Sequence, residues 1–147
     1  MKVCTFFGHS TCCGLDREKL RRMIETLIHQ GVDTFYVGNQ GEFDACVRST
    51  LKLLKITYPH IRYAVVFAYL PTAKEDYADH SDTMYPEGIE NGHPKFAIVR
   101  RNRWMLERAD HVICYVQRPW GGAYQFSQLA SKKGKRVINL CDAGIAH

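Results

Sequence analysis

No apolar run in this chain approaches the roughly 20 residues that a membrane-spanning helix needs, so no membrane partner is expected. Repeats and low-complexity tracts are lacking too, and no compositional shift marks a linker. One folded unit over residues 1–147 is therefore expected. A cleavable leader is not expected, because Met1 and Lys2 are followed by only five residues, Val-Cys-Thr-Phe-Phe, before Gly8 and His9. The six cysteines lack the C-x₂₋₄-C spacing of a metal site: Cys12 and Cys13 are adjacent, no second pair follows, and a metal on His9, Cys12 and Cys13 is not expected. Three of the six lie in or beside apolar runs, so they read as reduced thiols of a cytoplasmic protein. Around Gly8 the Gly-x-Gly-x-x-Gly series of a nicotinamide-binding turn is missing, which argues against redox use of that cofactor; no other cofactor is implied. The net charge of +5 is modest, and Lys and Arg are scattered apart from Arg100, Arg101 and Arg103 and the group Lys132, Lys133, Lys135 and Arg136. Such a balance suits a small anionic ligand at least as well as nucleic acid.

What is present is an alternation of short apolar runs with amphipathic segments. Lys2 to Gly8, Thr34 to Val37, Ile61 to Tyr69, His111 to Gln117 and Arg136 to Leu140 read as five strands. The first is nearly continuous in apolar character, as a strand covered on both faces must be. Between them, Leu20, Met23, Ile24, Leu27 and Ile28 recur with helical spacing behind an Asp16 cap, with Leu15 placed to staple onto Leu20 and Gly31 ending the helix. Phe43, Cys46, Val47, Thr50, Leu51 and Leu54 form a second helical stripe that stops near Pro59. A third helix opens at Pro94, carries Ile98, Met105 and Ala109 on one side and reaches Asp110; the fourth runs from Gly122 to Lys133. Residues 71–93 are polar and too long for a plain connection, and read as a lid or binding loop. Strands alternating with helices predict an α/β fold with a five-stranded, mostly parallel sheet between two helical layers.

In such sheets ligands bind beyond the carboxyl ends of the strands, where the strand order reverses. Gly8-His9-Ser10, Gly38-Asn39-Gln40-Gly41, Tyr69-Leu70-Pro71 and Gly121-Gly122 all fall there and are expected to share one rim. The glycine pair precedes a helix opening with Ala123, Tyr124, Gln125 and Phe126. No carboxylate competes for its N–H groups, and Arg118 stands just upstream, so the turn suits a phosphate. The turn at Gly38 has the opposite bias: Glu42 and Asp44 in the first helical turn repel phosphate and favour ribose hydroxyls or an amino group. His9 fits either a phosphate contact or a hydrogen bond within its loop. Trp104 is expected to pack against the sheet, with stacking on a base as its functional alternative.

Phe6-Phe7-Gly8-His9, the Gly38 to Asp44 turn, Tyr85-Pro86-Glu87-Gly88, Arg101-Asn102-Arg103-Trp104-Met105 with Ala109-Asp110, and Gly121-Gly122-Ala123 leading to Gly134-Lys-Arg-Val-Ile-Asn-Leu occur in this order. Together they resemble the SLOG superfamily, the Rossmann-like proteins related to DprA and to the Lonely Guy enzymes, over about Lys2 to Leu140. The likeness is to small bacterial and phage members and implies a site for nucleotides or nucleotide-sugar derivatives such as ADP-ribose. Lonely Guy enzymes release ribose 5′-phosphate from a base, using an arginine that Arg101 matches and a glutamate that follows their glycine motif. Here Tyr124, Gln125, Phe126, Ser127 and Gln128 occupy that region. None supplies a carboxylate, a loss of about 10²- to 10⁴-fold in rate for a general acid or base.

The resemblance and the residues thus favour a protein that binds, senses or sequesters a nucleotide-derived small molecule. Gly8, His9, Ser10, Gly38, Asn39, Gly41, Glu42, Tyr69, Arg101, Arg118, Gly121, Gly122, Ala123 and Tyr124 are its candidate contacts. Hydrolysis of a nucleotide N-glycosidic bond is the alternative, and would need Arg101 with Glu42, Asp44 or Glu87. Single-stranded DNA binding, as in DprA, is a further alternative, but no basic-aromatic groove is visible in the sequence and nucleic acid is not expected as a partner. Trp104 or Trp120 would suit a contact in a homo-oligomer.

Overall fold

The computed structural model describes residues 1–9, 14–68, 83–84 and 96–142. Its strands are β1 (Val3–Gly8), β2 (Thr34–Val37), β3 (Arg62–Val66), β4 (Thr83–Met84), β5 (His111–Tyr115) and β6 (Arg136–Asn139). Its helices are α1 (Arg17–His29), α2 (Gly41–Thr57), α3 (Ala97–Arg108) and α4 (Gly122–Lys132), and a 3₁₀ turn follows at Leu140–Asp142. The strand order is β4-β3-β2-β1-β5-β6, and every pairing is parallel. All five expected strands are present. The sheet is more uniform than expected, with no antiparallel pair among the described residues, and β4 extends its edge by two residues from within the 71–93 segment. The rest of that segment, with Tyr85 to Gly88 and Asn91-Gly92, lies outside the described residues, as do Pro94 and Ser10.

Alternation along β1 shows how the sheet is filled. Cys4 and Phe6 pack with Leu20, Ile24 and Leu27 of α1 and Phe43, Val47 and Leu51 of α2. Val3 and Phe7 face the opposite way, against Met105 and Leu106 of α3 and Phe126 and Ala130 of α4. Successive side chains of a strand point to opposite faces, so a strand covered on both sides carries few polar residues. Thr5 is the exception, and its buried hydroxyl donates to the Tyr36 carbonyl at 2.8 Å.

Local signals set the helix starts. Asp16 accepts from the Glu18 and Lys19 amides at 3.0 and 3.1 Å, capping α1, and Leu15 packs on the core beneath. At α2 the Asp44 carboxylate reaches back to the Gln40 amide at 3.0 Å. Phe43 is fully buried, and its ring occupies the place a Cβ on Gly8 would take, so only glycine lets α2 lie this close to the end of β1.

The path from β1 through β2 to β3 moves outward along one half of the sheet, and α3 returns the chain to β5 on the other side of β1. The order therefore reverses between β1 and β5, whose ends are in register at Gly8 and Tyr115. A crevice at that point is expected from topology alone. Among the described residues no helix is long and apolar enough to cross a membrane.

Candidate functional site

A cleft of about 240 Å³ opens at this reversal, lined by the end of β1, the starts of α2 and α4, and one side of α3. Of the residues singled out in the sequence, it brings together Gly8, His9, Asp44, Arg101, Arg118, Gly121, Gly122 and Ala123. Gly38 and Asn39 sit behind Arg101 rather than on the surface of the cleft. Gly41, Glu42 and Tyr124 do not line it, and Ser10 and Tyr69 lie outside the described residues. Of the carboxylates considered for hydrolysis, Asp44 faces the cleft, whereas Glu42 is exposed elsewhere and Glu87 is not among the described residues.

Arg101 is 3% exposed, an unusual position for an arginine. Its Nη1 donates to the Val66 carbonyl at 3.1 Å and reaches Asn39 Oδ1 at 3.5 Å, while Nε donates to Asn102 Oδ1 at 2.7 Å. The guanidinium is thereby held at the end of β3 and beside the turn that follows β2. Asp44 is 7% exposed, and burial pushes its carboxyl up to about 6. The Arg101 charge, the Gln40 amide and Arg48 oppose that rise without cancelling it. Arg48 also donates to the Gly38 carbonyl at 3.1 Å, fixing the turn from outside.

The facing wall is built from main chain. Gly121 adopts φ +94°, and α4 begins at Gly122 with no side-chain cap and no acidic residue in its first turn. A Cβ on either glycine would meet no atom within 4 Å. The bend is therefore not filled by its own side chains, and it shares the cleft with Arg101. The first amides of α4 and its positive dipole end open towards solvent beside Arg118. Arg118 lies 5.9 Å from the ring of Trp120, which is 62% exposed.

His9 serves the scaffold. Its Nε2 accepts the Gln117 amide at 3.0 Å and its own amide donates to the Tyr115 carbonyl at 3.3 Å. Burial, then the Arg118 charge, lowers its pKa and favours the neutral ring that this acceptor role requires. Asn139 completes the support: its Nδ2 donates to the Val116 carbonyl at 3.0 Å and its Oδ1 accepts the Val116 and Cys141 amides, both at 3.1 Å. These side chains take the backbone groups of Val116 and Gln117. For that reason β5 stops at Tyr115 instead of continuing to Gln117 as its apolar character predicted.

Trp104 is consumed by packing, tilted on Tyr36 at 5.2 Å with the Arg108 guanidinium 3.9 Å from its ring. Ile98, expected on the buried side of its helix with Met105 and Ala109, is 38% exposed and lines the cleft. Arg101 has taken the buried place, one turn before Met105. Gln40 and Asn102 also line the cleft. Neither is among the candidate contacts, although Gln40 lies in the turn expected on this rim and Asn102 beside Arg101, because an amide in a loop or on a polar helix carries no pattern of its own.

No protein-family model and no curated protein sequence matches the chain. Solved structures do match in fold. The DNA processing protein A of Streptococcus pneumoniae aligns with a TM-score of 0.66 at 15% identity, over 92% of this chain and 49% of that one. The DNA processing protein A of Helicobacter pylori, described for its single-stranded DNA binding mode, aligns with a TM-score of 0.59 at 13% identity, over 92% of this chain and 63% of that one. This chain thus spans about half to under two thirds of those proteins. The expectation that nucleic acid is no partner is corrected by this likeness, since a neighbour of the same fold binds single-stranded DNA. Arg101, Arg118 and Trp120 form no run in the sequence: Arg101 comes from α3 and the other two from the loop before α4. At these identities the fold is what is shared: a Rossmann-like α/β domain of the kind found in DNA processing protein A.

Proposed function

We propose that this chain binds single-stranded DNA by seating a backbone phosphate at the N-terminus of α4, between Arg118 and Arg101. The observation that carries the reading is the uncapped α4 terminus opening into the same cleft as two guanidiniums, with Gly121 and Gly122 leaving the approach clear. Amides and dipole favour an anion, and arginine suits phosphate through its fork of N–H donors. Exposed Trp120 beside Arg118 offers a ring on which a base can stack regardless of its identity. The fold likeness to a single-stranded DNA-binding protein supports the same reading.

The test is titration of a labelled oligo-dT, about 4–16 nucleotides long, across a range of salt concentrations. Affinity should fall with salt, with a logarithmic slope of about −0.7 for each phosphate contacted. Arg118→Ala should weaken binding about tenfold, as expected for losing one charge-assisted hydrogen bond. Absence of binding at low salt would sink the reading.

One observation favours a second reading, a nucleotide-derived small molecule. The buried Asp44 carboxylate in the cleft suits hydroxyl donors, and DNA lacks the ribose 2′-hydroxyl. Calorimetry with ADP-ribose and with ribo- and deoxyribonucleoside monophosphates separates the two. Tight binding of the ribo forms, together with failure to bind oligo-dT, would select it.

A further inference from the structure

A second cleft of about 540 Å³ lies beside the first on the same rim. Its lining includes Gly14, Lys19, Tyr115, Gln117, Leu140 and Cys141. The two clefts share a wall: Gln117 lines one and Arg118 the other, and His9, in the first, accepts the amide of Gln117.

Their chemistry differs. The first has two guanidiniums and an uncapped helix start. In the second, α1 is already capped by the Asp16 carboxylate, and the Lys19 ammonium donates to the Leu140 carbonyl at 2.7 Å. A second phosphate gains little there. The remaining surface is aliphatic at Leu140, thiol at Cys141 and polar at its edge, where Gln117 Nε2 donates to the Tyr115 hydroxyl at 3.0 Å. Within a lining that also holds the Asp16 and Lys19 side chains, Leu140 and Cys141 offer apolar contact to the flat face of a nucleobase, and Gln117 and Tyr115 offer hydrogen bonds to its rim. Size agrees: at about 240 Å³ the first cleft is below the roughly 300–1,000 Å³ of sites that enclose a whole small ligand, whereas its neighbour falls within that range. Gly14, at φ +87°, lines this cleft too, and a Cβ there would make an ordinary contact with the Tyr115 hydroxyl, 3.6 Å away.

We infer that the second cleft is a nucleobase subsite, taking a base carried on the strand next to the phosphate held at α4. This rests on the single-stranded DNA reading above. The test compares oligo-dT with an abasic strand of equal length, on the wild type and two variants. Cys141→Phe fills the cleft, and Gln117→Ala strips an exposed side chain from its edge while keeping the amide that His9 accepts.

The wild type should prefer oligo-dT about tenfold, the size of a modest base contact. Both variants should lose most of that preference while binding the abasic strand as the wild type does. Equal binding of the two strands by the wild type would overturn the subsite while leaving the phosphate reading intact. So would an undiminished preference in both variants. Failure of the wild type to bind either strand would remove the DNA reading, and the subsite with it. A preference for a nucleoside monophosphate over ribose 5-phosphate, with none between the strands, would assign the base to a free nucleotide and overturn its assignment to DNA.

Discussion

The guanidinium of Arg101 rests on Gly38: a Cβ there would stand 2.5 Å from Arg101 Nη1 and 2.7 Å from Asp44 Oδ2. Both charged groups owe their position to a missing methyl group. Gly38→Ala should therefore displace Arg101 and Asp44 together. An overpacked site of this kind costs about 1–3 kcal/mol, measurable by urea unfolding. Oligonucleotide affinity should fall about tenfold in parallel, the equivalent of 1.4 kcal/mol. Wild-type values for both would show that Arg101 can find another seat.

Asp44 makes stability depend on pH in an uncommon direction. Its carboxyl titrates near 3.8 unfolded and is pushed up to about 6 in the fold, so folding takes up a proton between those values. Stability from this group is greatest at low pH, declines as pH rises through that window, and is level above about pH 6. The total is about 3 kcal/mol for a shift of about two units. Asp44→Asn should abolish that decline, so the difference in unfolding free energy between variant and wild type should change between pH 4.5 and 7. A constant difference would contradict the burial described for Asp44.

The same protonation alters binding. Below pH 6 the cleft loses a negative charge, while phosphodiesters keep theirs. Oligonucleotide affinity should rise as pH falls from 7 to 5.5 in the wild type and stay flat in Asp44→Asn; anisotropy titration at fixed ionic strength reads this directly.

His9 works in the opposite direction. Its folded pKa lies below the ordinary 6.5, so the unfolded chain binds the proton first, and stability is lost as pH falls from 6.5 through the lowered value. His9→Leu should remove that acid limb. At pH 7.5 it should also cost about 1 kcal/mol, because the Gln117 amide loses its acceptor. Chemical denaturation of the variant at pH 5.5 and 7.5 checks both. A variant with an unchanged acid limb would mean that another group titrates there.

The glycine pair separates folding from binding. Gly121→Ala places a Cβ at φ +94° and should cost about 1–2 kcal/mol of stability. A Cβ on Gly122 meets no neighbour, so Gly122→Ala should melt near the wild-type temperature, but its methyl group enters the space an anion needs. Oligonucleotide affinity should fall at least tenfold. A Gly122→Ala variant that binds normally would place the anion elsewhere.

Much of the fold is legible in the sequence because central parallel strands are buried on both faces. Val3 to Phe7 and His111 to Tyr115 therefore read as apolar runs without any partner in view. The α1 cap at Asp16 is equally local. The edge strand β4 is not legible: two residues are too few to show a period. In the site, Gly121-Gly122 before α4 is visible as a turn, and Arg101 through resemblance. That Arg101 is buried could not be read, since its partners Val66, Asn39 and Gly38 are supplied by topology. Neither could the acceptor role of His9, which depends on Gln117 arriving just past the end of β5, distant in sequence. The meeting of Arg101 and Arg118 in one cleft has the same origin, since they stand at opposite ends of a helix-strand unit.

Asn139 stands on β6, at one margin of the sheet, and yet it ties down the main chain one and two positions before Gln117 and Arg118. The alignment of both clefts is thereby indexed to the outermost strand on that side, and whatever grips or peels that strand would shift the wall they share without touching either lining.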